Sequence, residues 1–132
     1  METHNQALVL IVDDFGDALE IYQQYLTFKG YRVLVASSGP EAVTTARAEH
    51  PALIFMDLRM PDMTGTEAMR QLRADPLFSQ VPIVALTAHA FADEQAAALA
   101  AGFDEVIAKP CNPDDLIVAV ERLLSSARQQ PS

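Results

Sequence analysis

The sequence has little cysteine and no long apolar run, and each shortage excludes a class of protein. A single cysteine, Cys111, leaves no internal disulfide bond and favours a reducing compartment, so we expect a cytoplasmic protein. No apolar run approaches the roughly 20 residues that a membrane-spanning helix requires. The first residues lack the basic region and the long apolar segment of a secretory signal peptide.

Basic residues are also scarce. Nine Lys and Arg residues stand against 18 Asp and Glu residues, which gives a formal net charge of −9. Proteins bind nucleic-acid backbones by neutralising phosphates with basic side chains, so we expect no nucleic acid among the partners. Half of the 132 residues are hydrophobic, which is enough for one domain with a proper core. We expect a single domain over residues 1–132, with its core at about 6–126 and short flexible termini.

Short apolar runs alternate with helical patterns along the whole chain. The predicted strands cover residues 7–13, 31–36, 52–57, 82–87 and 105–108. The predicted helices cover residues 17–29, a segment from Ser38 to just before Pro51, and residues 66–74, 92–101 and 114–127, with a frayed tail at 128–132.

This alternation predicts βαβ units and a parallel sheet. Right-handed crossovers leave few ways to connect such units. We predict an α/β, flavodoxin-like, doubly wound fold whose five parallel strands lie in the order 2-1-3-4-5. The strand order then reverses between the first and third strands, and Asp13, Asp14 and Asp57 flank this switch point. Ligands bind at such a point in open α/β sheets.

Polar residues stand where the predicted strands end. Asp13 and Asp14 follow the first strand, Asp57 ends the third, Thr87 ends the fourth and Lys109 follows the fifth. Because the carboxyl ends of parallel strands share one edge of the sheet, we expect these side chains to converge. Three carboxylates, a hydroxyl and an ammonium suit a divalent cation and a phosphoryl group.

The three carboxylates predict a metal site. Crowded anions cannot all ionise without compensation, and Mg²⁺ prefers oxygen ligands supplied by one or two carboxylates together with a phosphate. We predict Mg²⁺, with Mn²⁺ as an alternative, at Asp13, Asp14 and Asp57. A simpler interpretation is that the acidic pair only forms a turn before the next helix; the third Asp at a neighbouring strand end weighs against it.

Asp57 is the candidate nucleophile, since an aspartate can form an acyl phosphate. Lys109 can pair with a carboxylate or phosphate oxygen, and Thr87 can offer a hydroxyl. Taken singly, the same residues also fit a turn-forming Asp, a solvated Lys and a strand-favouring Thr. In the loop after Asp57, Gly65 is expected to supply a turn conformation that a residue with a Cβ would resist.

These residues resemble the receiver domain of two-component response regulators, over about residues 6–126. The order and spacing of the motifs are highly specific to that family. The motifs are Asp13-Asp14, the run from Met56 to Gly65, Ala85-Leu86-Thr87-Ala88 and Lys109-Pro110.

The resemblance implies a Mg²⁺-dependent phosphoryl transfer to Asp57 from a histidine kinase or a histidine phosphotransfer protein. It implies that the metal is held by Asp13, Asp14, Asp57 and the backbone carbonyl of Arg59. It further implies a switch that is not an enzyme, apart from its own phosphorylation from a donor and its own dephosphorylation.

The same resemblance implies that Thr87 and Lys109 contact the phosphoryl group. A downstream protein is expected to bind the region of about residues 88–127. The chain shows no output domain after the receiver pattern, and we expect either a stand-alone receiver or the receiver of a hybrid kinase.

Two departures from the usual pattern are notable, one at a single position and one at a pair of positions. Val106 stands where family members usually have Tyr or Phe as a rotamer switch, and Phe103 is not equivalent to that residue. Arg59 and His89 occupy positions that tune the lifetime of the phosphoryl group in the family. We hypothesise that this pair alters the lifetime, the alternative being that both are solvated rim residues.

Three other functions fit parts of the pattern. A haloacid-dehalogenase-type phosphatase also uses a strand-end Asp, but it needs a second acid where this chain has Arg59. A phosphorylation-independent interaction module is conceivable because of Val106, although the intact site residues argue against it. A flavin-binding protein of the same fold would need a hydroxyl-rich loop where this chain has Phe15-Gly16-Asp17.

Overall fold

A computed structural model of the chain describes residues 7–60, 63–88, 91–109 and 112–129, with side chains to residue 125 in the last range. The strands are β1 (Leu8–Val12), β2 (Arg32–Ala36), β3 (Leu53–Asp57), β4 (Ile83–Thr87) and β5 (Glu105–Ala108). The helices are α1 (Gly16–Phe28), α2 (Gly39–Glu49), α3 (Gly65–Arg73), α4 (Ala92–Ala101) and α5 (Pro113–Gln129).

The strands form one parallel sheet in the order β2-β1-β3-β4-β5, which confirms the predicted topology. The register brings the carboxyl ends of the central strands level with one another. Val12 pairs with Met56, and Asp57 pairs with Leu86. The residues that follow β1 and end β3 and β4 therefore lie at one edge of the sheet.

The sheet is buried on both faces by two helical layers. Helices α1 and α5 cover one face, and α2, α3 and α4 cover the other. All five residues of β1, of β3 and of β4 are buried, which explains why these strands, up to the polar residues that end β3 and β4, are continuously apolar rather than alternating. Such a sheet is a stiff base for the side chains at its edge.

Local signals in the sequence set most helix boundaries. The Ser38 hydroxyl accepts from the Glu41 N–H at the start of α2. A capping box between Thr64 and Glu67 begins α3. Helix α4 ends at Gly102, whose φ of 134° is open to glycine but strained for other residues.

The structure differs from the sequence prediction in two short segments. A 3₁₀ turn at Pro76–Phe78 precedes β4, begun by Asp75, whose side chain accepts from the Leu77 N–H. Helix α5 runs through Gln129, so residues 128–129 are helical rather than frayed, while 130–132 lie outside the described residues. Among the described helices, none combines the length and the apolar character needed to span a bilayer.

Candidate functional site

Three acidic side chains meet at the switch point of the sheet. Asp13 and Asp14 follow β1, Asp57 ends β3, and one carboxylate oxygen of each lies within 4.8 Å of the others. Asp13 is fully buried, Asp57 is 4% exposed and Asp14 is exposed. The convergence predicted from the strand ends is therefore present, with one of the three carboxylates open to solvent.

Each buried carboxylate has one oxygen fixed by the backbone and one facing Lys109. The N–H of Phe15 donates to Oδ1 of Asp13 at 2.9 Å, and the N–H of Arg59 donates to Oδ1 of Asp57 at 3.1 Å. Lys109 Nζ donates to Oδ2 of Asp13 at 2.8 Å and to Oδ2 of Asp57 at 3.5 Å. The ammonium thus lies between the two acids.

The neighbouring strands hold Lys109 and Thr87 in position. The N–H of Lys109 donates to the carbonyl of Thr87 at 2.8 Å, so strand pairing continues one residue past β5. Thr87 is buried at the end of β4, directly after Leu86, which pairs with Asp57. Thr87, Lys109 and Asp57 therefore occupy adjacent strand ends, as the sequence predicts.

Burial dominates the electrostatics of Asp57. Burial, together with the charges of Asp13 and Asp14, raises the pKa of the Asp57 carboxyl, and the net value is about 6. The N–H of Arg59 and the ammonium of Lys109 oppose this rise in the pKa. Asp57 is therefore mostly ionised at neutral pH, as a carboxylate nucleophile or metal ligand must be.

Neighbouring charges, rather than burial, decide the pKa of Lys109. Burial alone would lower the pKa of the ammonium, but the hydrogen bond and charge of Asp13, with those of Asp57, outweigh burial and raise it. Lys109 is thus positively charged at neutral pH. Three carboxylates and one ammonium leave about two negative charges, which fits the charge and the oxygen preference of Mg²⁺.

The expectation that Gly65 supplies an unusual turn conformation is wrong. Among the described glycines, positive φ values belong to Gly30 and Gly102, so Gly65 does not supply an unusual turn conformation. It supplies space instead: a Cβ at Gly65 would lie 2.2 Å from the carbonyl oxygen of Asp57. The N–H of Gly65 also donates to the carbonyl of Leu58 at 3.0 Å. The start of α3 therefore packs directly on the backbone of Asp57.

The structure adds a contact that the sequence did not predict. The guanidinium of Arg59 turns towards α4, where Nη2 lies 3.6 Å from Oε2 of Glu94. Beside this pair, a cleft of about 350 Å³ separates α3 from α4. No local sequence pattern predicts the Arg59–Glu94 ion pair, because it joins a loop to a helix from a distant part of the chain.

The structure locates the Val106 departure in full and the Arg59/His89 pair only in part. Val106 is partly buried and packs against the core beneath α2, α3 and α4, and Phe103 is 3% exposed within that core. His89, Pro110 and Cys111 lie outside the described residues, so only the Arg59 half of the Arg59/His89 hypothesis has a structural setting.

Comparison with known proteins agrees with this architecture. The DNA-binding response regulator MtrA of Mycobacterium tuberculosis is 35% identical over 132 residues, which is 100% of this chain and 56% of MtrA. The chain therefore spans little more than half the length of that relative.

Two solved structures are close in fold. The CheY-like receiver domain protein of Methanospirillum hungatei gives a TM-score of 0.88 at 30% identity, covering 96% of this chain and 99% of its own. The receiver domain of a sensor histidine kinase from Pseudomonas aeruginosa, with a magnesium ion coordinated in its active site cleft, gives a TM-score of 0.84 at 32% identity, covering 91% and 98%.

The family model of the response regulator receiver domain matches residues 9–121. That match covers β2 to β5 in full, all but the first residue of β1, and about half of α5, and the sheet order is the one predicted from the sequence. The chain belongs to the family of response regulator receiver domains.

Proposed function

We propose that the chain is a phosphoacceptor signalling switch in which Asp57 accepts a phosphoryl group from a phosphohistidine donor. The observation that carries the proposal is the setting of the Asp57 carboxylate. Its Oδ1 is held by the Arg59 N–H at 3.1 Å, and its Oδ2 faces the Lys109 ammonium at 3.5 Å. A buried carboxylate beside a cation and two further acids suits a nucleophile for phosphoryl transfer.

The transfer is a displacement at phosphorus. An oxygen of the ionised Asp57 carboxylate attacks, the new P–O bond forms as the P–N bond to the donor imidazole breaks, and the imidazole nitrogen keeps the electron pair and takes up a proton. Lys109 is placed to balance the charge that gathers on the phosphoryl oxygens. We assign the Thr87 hydroxyl to a hydrogen bond with one of those oxygens.

We propose Mg²⁺ as the cofactor, with Mn²⁺ as an alternative, held by Asp13, Asp14, Asp57 and the backbone carbonyl of Arg59. The cluster of three carboxylate oxygens within 4.8 Å supports this ligand set. The Pseudomonas receiver domain, which is described with magnesium in its cleft, supports it by analogy. When bound, the metal supplies positive charge to the attacking carboxylate and to the phosphoryl oxygens.

The phosphoryl donor is proposed to be a histidine kinase or a histidine phosphotransfer protein. The downstream partner is proposed to be a protein that binds residues 88–127. Although MtrA is described as DNA-binding, the chain spans 56% of MtrA and carries a net charge of −9, so we propose no DNA contact for it. We further propose that residues 1–132 form a single receiver domain that works in the cytoplasm.

Intact-mass measurement tests the proposal. The chain is incubated with phosphoramidate, a small donor with a P–N bond, in the presence and absence of Mg²⁺. We expect one phosphoryl group per chain, with Mg²⁺ required and with no label on the Asp57→Asn variant. A folded, Mg²⁺-supplied protein that takes no label from phosphoramidate or from a cognate kinase would overturn the proposal.

One observation favours a second candidate, an interaction module that works without phosphorylation. Val106 stands at the position where the family usually carries an aromatic switch residue. If this candidate is right, the parent and the Asp57→Asn variant bind the downstream partner with the same affinity, whether or not phosphoramidate is present.

A further inference from the structure

Arg59 touches both the reactive carboxylate and helix α4. Its N–H donates to Oδ1 of Asp57 at 3.1 Å, and its guanidinium lies 3.6 Å from the Glu94 carboxylate in the first turn of α4. The backbone of this residue is therefore fixed at the site, while its guanidinium pairs with α4. Thr87 lines the same cleft as Arg59 and Glu94, so the ion pair lies beside the site.

Helix α4 is lightly packed. Of its ten residues, Ala98 is the one that is buried. The end of the helix is better held than its body: the carbonyl of Gly102 accepts from Arg73 Nε at 3.3 Å and from Arg73 Nη2 at 3.2 Å. Gly102, at φ 134°, also provides a joint that tolerates unusual backbone angles. The first turn of α4 can thus move about a fixed far end.

The space beside α4 permits that movement. The cleft of about 350 Å³ between α3 and α4 is lined on the α4 side by the small side chains of Ala97, Ala98 and Ala101. Arg59 and Glu94 line the same cleft. A shift of α4 towards α3 therefore moves into the cleft and displaces few packed side chains, whereas a shift within a dense core would displace many.

We propose that Glu94 is a positioning residue that holds the Arg59 guanidinium on α4 until Asp57 is phosphorylated. Arg59 then exchanges the Glu94 carboxylate for the phosphoryl oxygens and releases the first turn of α4. This inference rests on the proposed function, because it takes Asp57 as the phosphoacceptor.

The charges favour the exchange in that direction. A phosphoryl group carries about −1.5 to −2 charges at neutral pH, against one on Glu94. Its oxygens also suit the two-pronged geometry of a guanidinium. The side chains of Arg59 and Glu94 are 65% and 40% exposed, and ion pairs this exposed stabilise a fold only slightly. The pair can therefore hold the resting state and still yield to phosphorylation.

Release of α4 would alter a surface that a partner can detect. The exposed side chains on this helix include Phe91 at its N-terminal cap and Leu99 near its end. Both lie in the region proposed for the downstream partner. This route from Asp57 to α4 passes through Arg59, so it needs no aromatic side chain at Val106.

Hydrogen exchange of the α4 amides tests the inference, using the full chain with phosphoramidate and Mg²⁺. In the parent protein, we expect exchange in the first two turns of α4 to rise several-fold on phosphorylation. In Glu94→Gln, we expect exchange already to be raised without the donor, with little further change on phosphorylation. Arg59→Gln removes the other partner of the ion pair, and α4 exchange in this variant should likewise be raised without the donor.

The matched control is Glu105→Gln, which breaks another partly exposed carboxylate–arginine pair, to Arg122 at 2.6 Å, between β5 and α5. It should leave α4 exchange at the parental level. The half-life of the phosphoryl group provides a second measurement, which would not change if Glu94 only stabilised the fold. Glu94→Gln should lengthen it several-fold because Arg59 is then free for the phosphoryl group, and the Arg59→Gln/Glu94→Gln variant should lose this gain.

Two results would overturn the inference. One is parental exchange of α4 in both unphosphorylated Glu94→Gln and Arg59→Gln. The other is a Glu94→Gln half-life that stays long when Arg59 is also replaced. Intact mass, recorded on every sample, separates this failure from failure of the proposed function. If neither phosphoramidate nor a cognate kinase labels the parent or any variant, phosphorylation at Asp57 is overturned, while the exchange rates of the unphosphorylated samples still report on the Arg59–Glu94 pair.

Discussion

Lys109 lies closer to Asp13 than to Asp57. Its Nζ is 2.8 Å from Oδ2 of Asp13 and 3.5 Å from Oδ2 of Asp57. The ammonium is therefore bound firmly to the acid next to the nucleophile and only loosely to the nucleophile itself. An incoming phosphoryl group can draw Lys109 towards Asp57 without first breaking a tight pair between them.

Removal of this cation is expected to cost both stability and reactivity. Lys109→Gln leaves the buried Asp13 and Asp57 without their shared counter-charge, and breaking such a pair costs about 3–5 kcal/mol of unfolding free energy. Urea denaturation without metal measures that loss, and intact mass should show slower phosphorylation. Lys29→Gln, at an exposed position, is the control. Equal denaturation midpoints for Lys109→Gln and the parent would contradict the role of Lys109.

The raised pKa of Asp57 predicts how stability depends on pH. Its value of about 6 lies above the ordinary value of 3.8, so the folded state binds this proton more tightly than the unfolded state. The contribution of Asp57 to stability therefore falls as pH rises from about 4 to about 6 and opposes folding above that. A shift of about two units corresponds to roughly 2–3 kcal/mol.

Asp57→Asn should accordingly stabilise the metal-free protein at pH 7, with the gain vanishing near pH 4. Urea denaturation in the presence of a chelator, across that range, measures the difference. Glu20→Gln, which removes an exposed acid on α1, should show no such trend. A gain that is the same at both ends of the range would mean that burial of the charge is not its cause.

Gly65 is expected to tolerate no side chain. The Cβ of Gly65→Ala would lie 2.2 Å from the carbonyl oxygen and 2.9 Å from the carbonyl carbon of Asp57. The backbone must move to relieve the clash, which should destabilise the fold by about 2 kcal/mol or more and slow phosphorylation. Gly16→Ala is a matched control because nothing lies within 4 Å of its Cβ. Equal stability of the two variants would rule out the close approach at Gly65.

Asp14 gives a test of the metal site that leaves the buried acids intact. Because Asp14 is exposed, Asp14→Asn should fold with near-parental stability when metal is absent. Mg²⁺ should raise the thermal midpoint of the parent, since a ligand that binds only the native state stabilises it. Asp14→Asn should lose most of that rise, whereas Asp17→Asn, one helical position into α1, should keep it. A full Mg²⁺ response in Asp14→Asn would remove Asp14 from the ligand set.

The sheet order and the convergence of the strand ends could be predicted because both follow from general rules. Continuous apolar runs indicate buried parallel strands, and right-handed crossovers restrict their order. Asp13, Asp57 and Lys109 stand at strand ends in the sequence, so their meeting in space follows from the topology. Their roles in phosphoryl transfer stay predictions.

Contacts that depend on how helices approach one another could not be predicted. Arg73 donates to the carbonyls of Phe78, Val81 and Gly102 and pairs with Asp104 at 2.6 Å, which ties α3 to the segments before β4 and β5. Hydrophobic periodicity predicts which face of a helix is buried, but it does not predict which groups a long polar side chain at the edge of that face will contact. The same holds for the ion pair of Arg59 with Glu94.

Chemical trapping of the modified residue tests the phosphoacceptor assignment most directly. The chain is labelled with phosphoramidate and Mg²⁺, and borohydride then reduces the acyl phosphate, releasing phosphate and leaving an alcohol in place of the aspartate carboxyl. Peptide mass spectrometry locates that alcohol among Asp13, Asp14 and Asp57. We expect it at Asp57 alone; reduction at another aspartate, with Asp57 unchanged, would contradict the assignment.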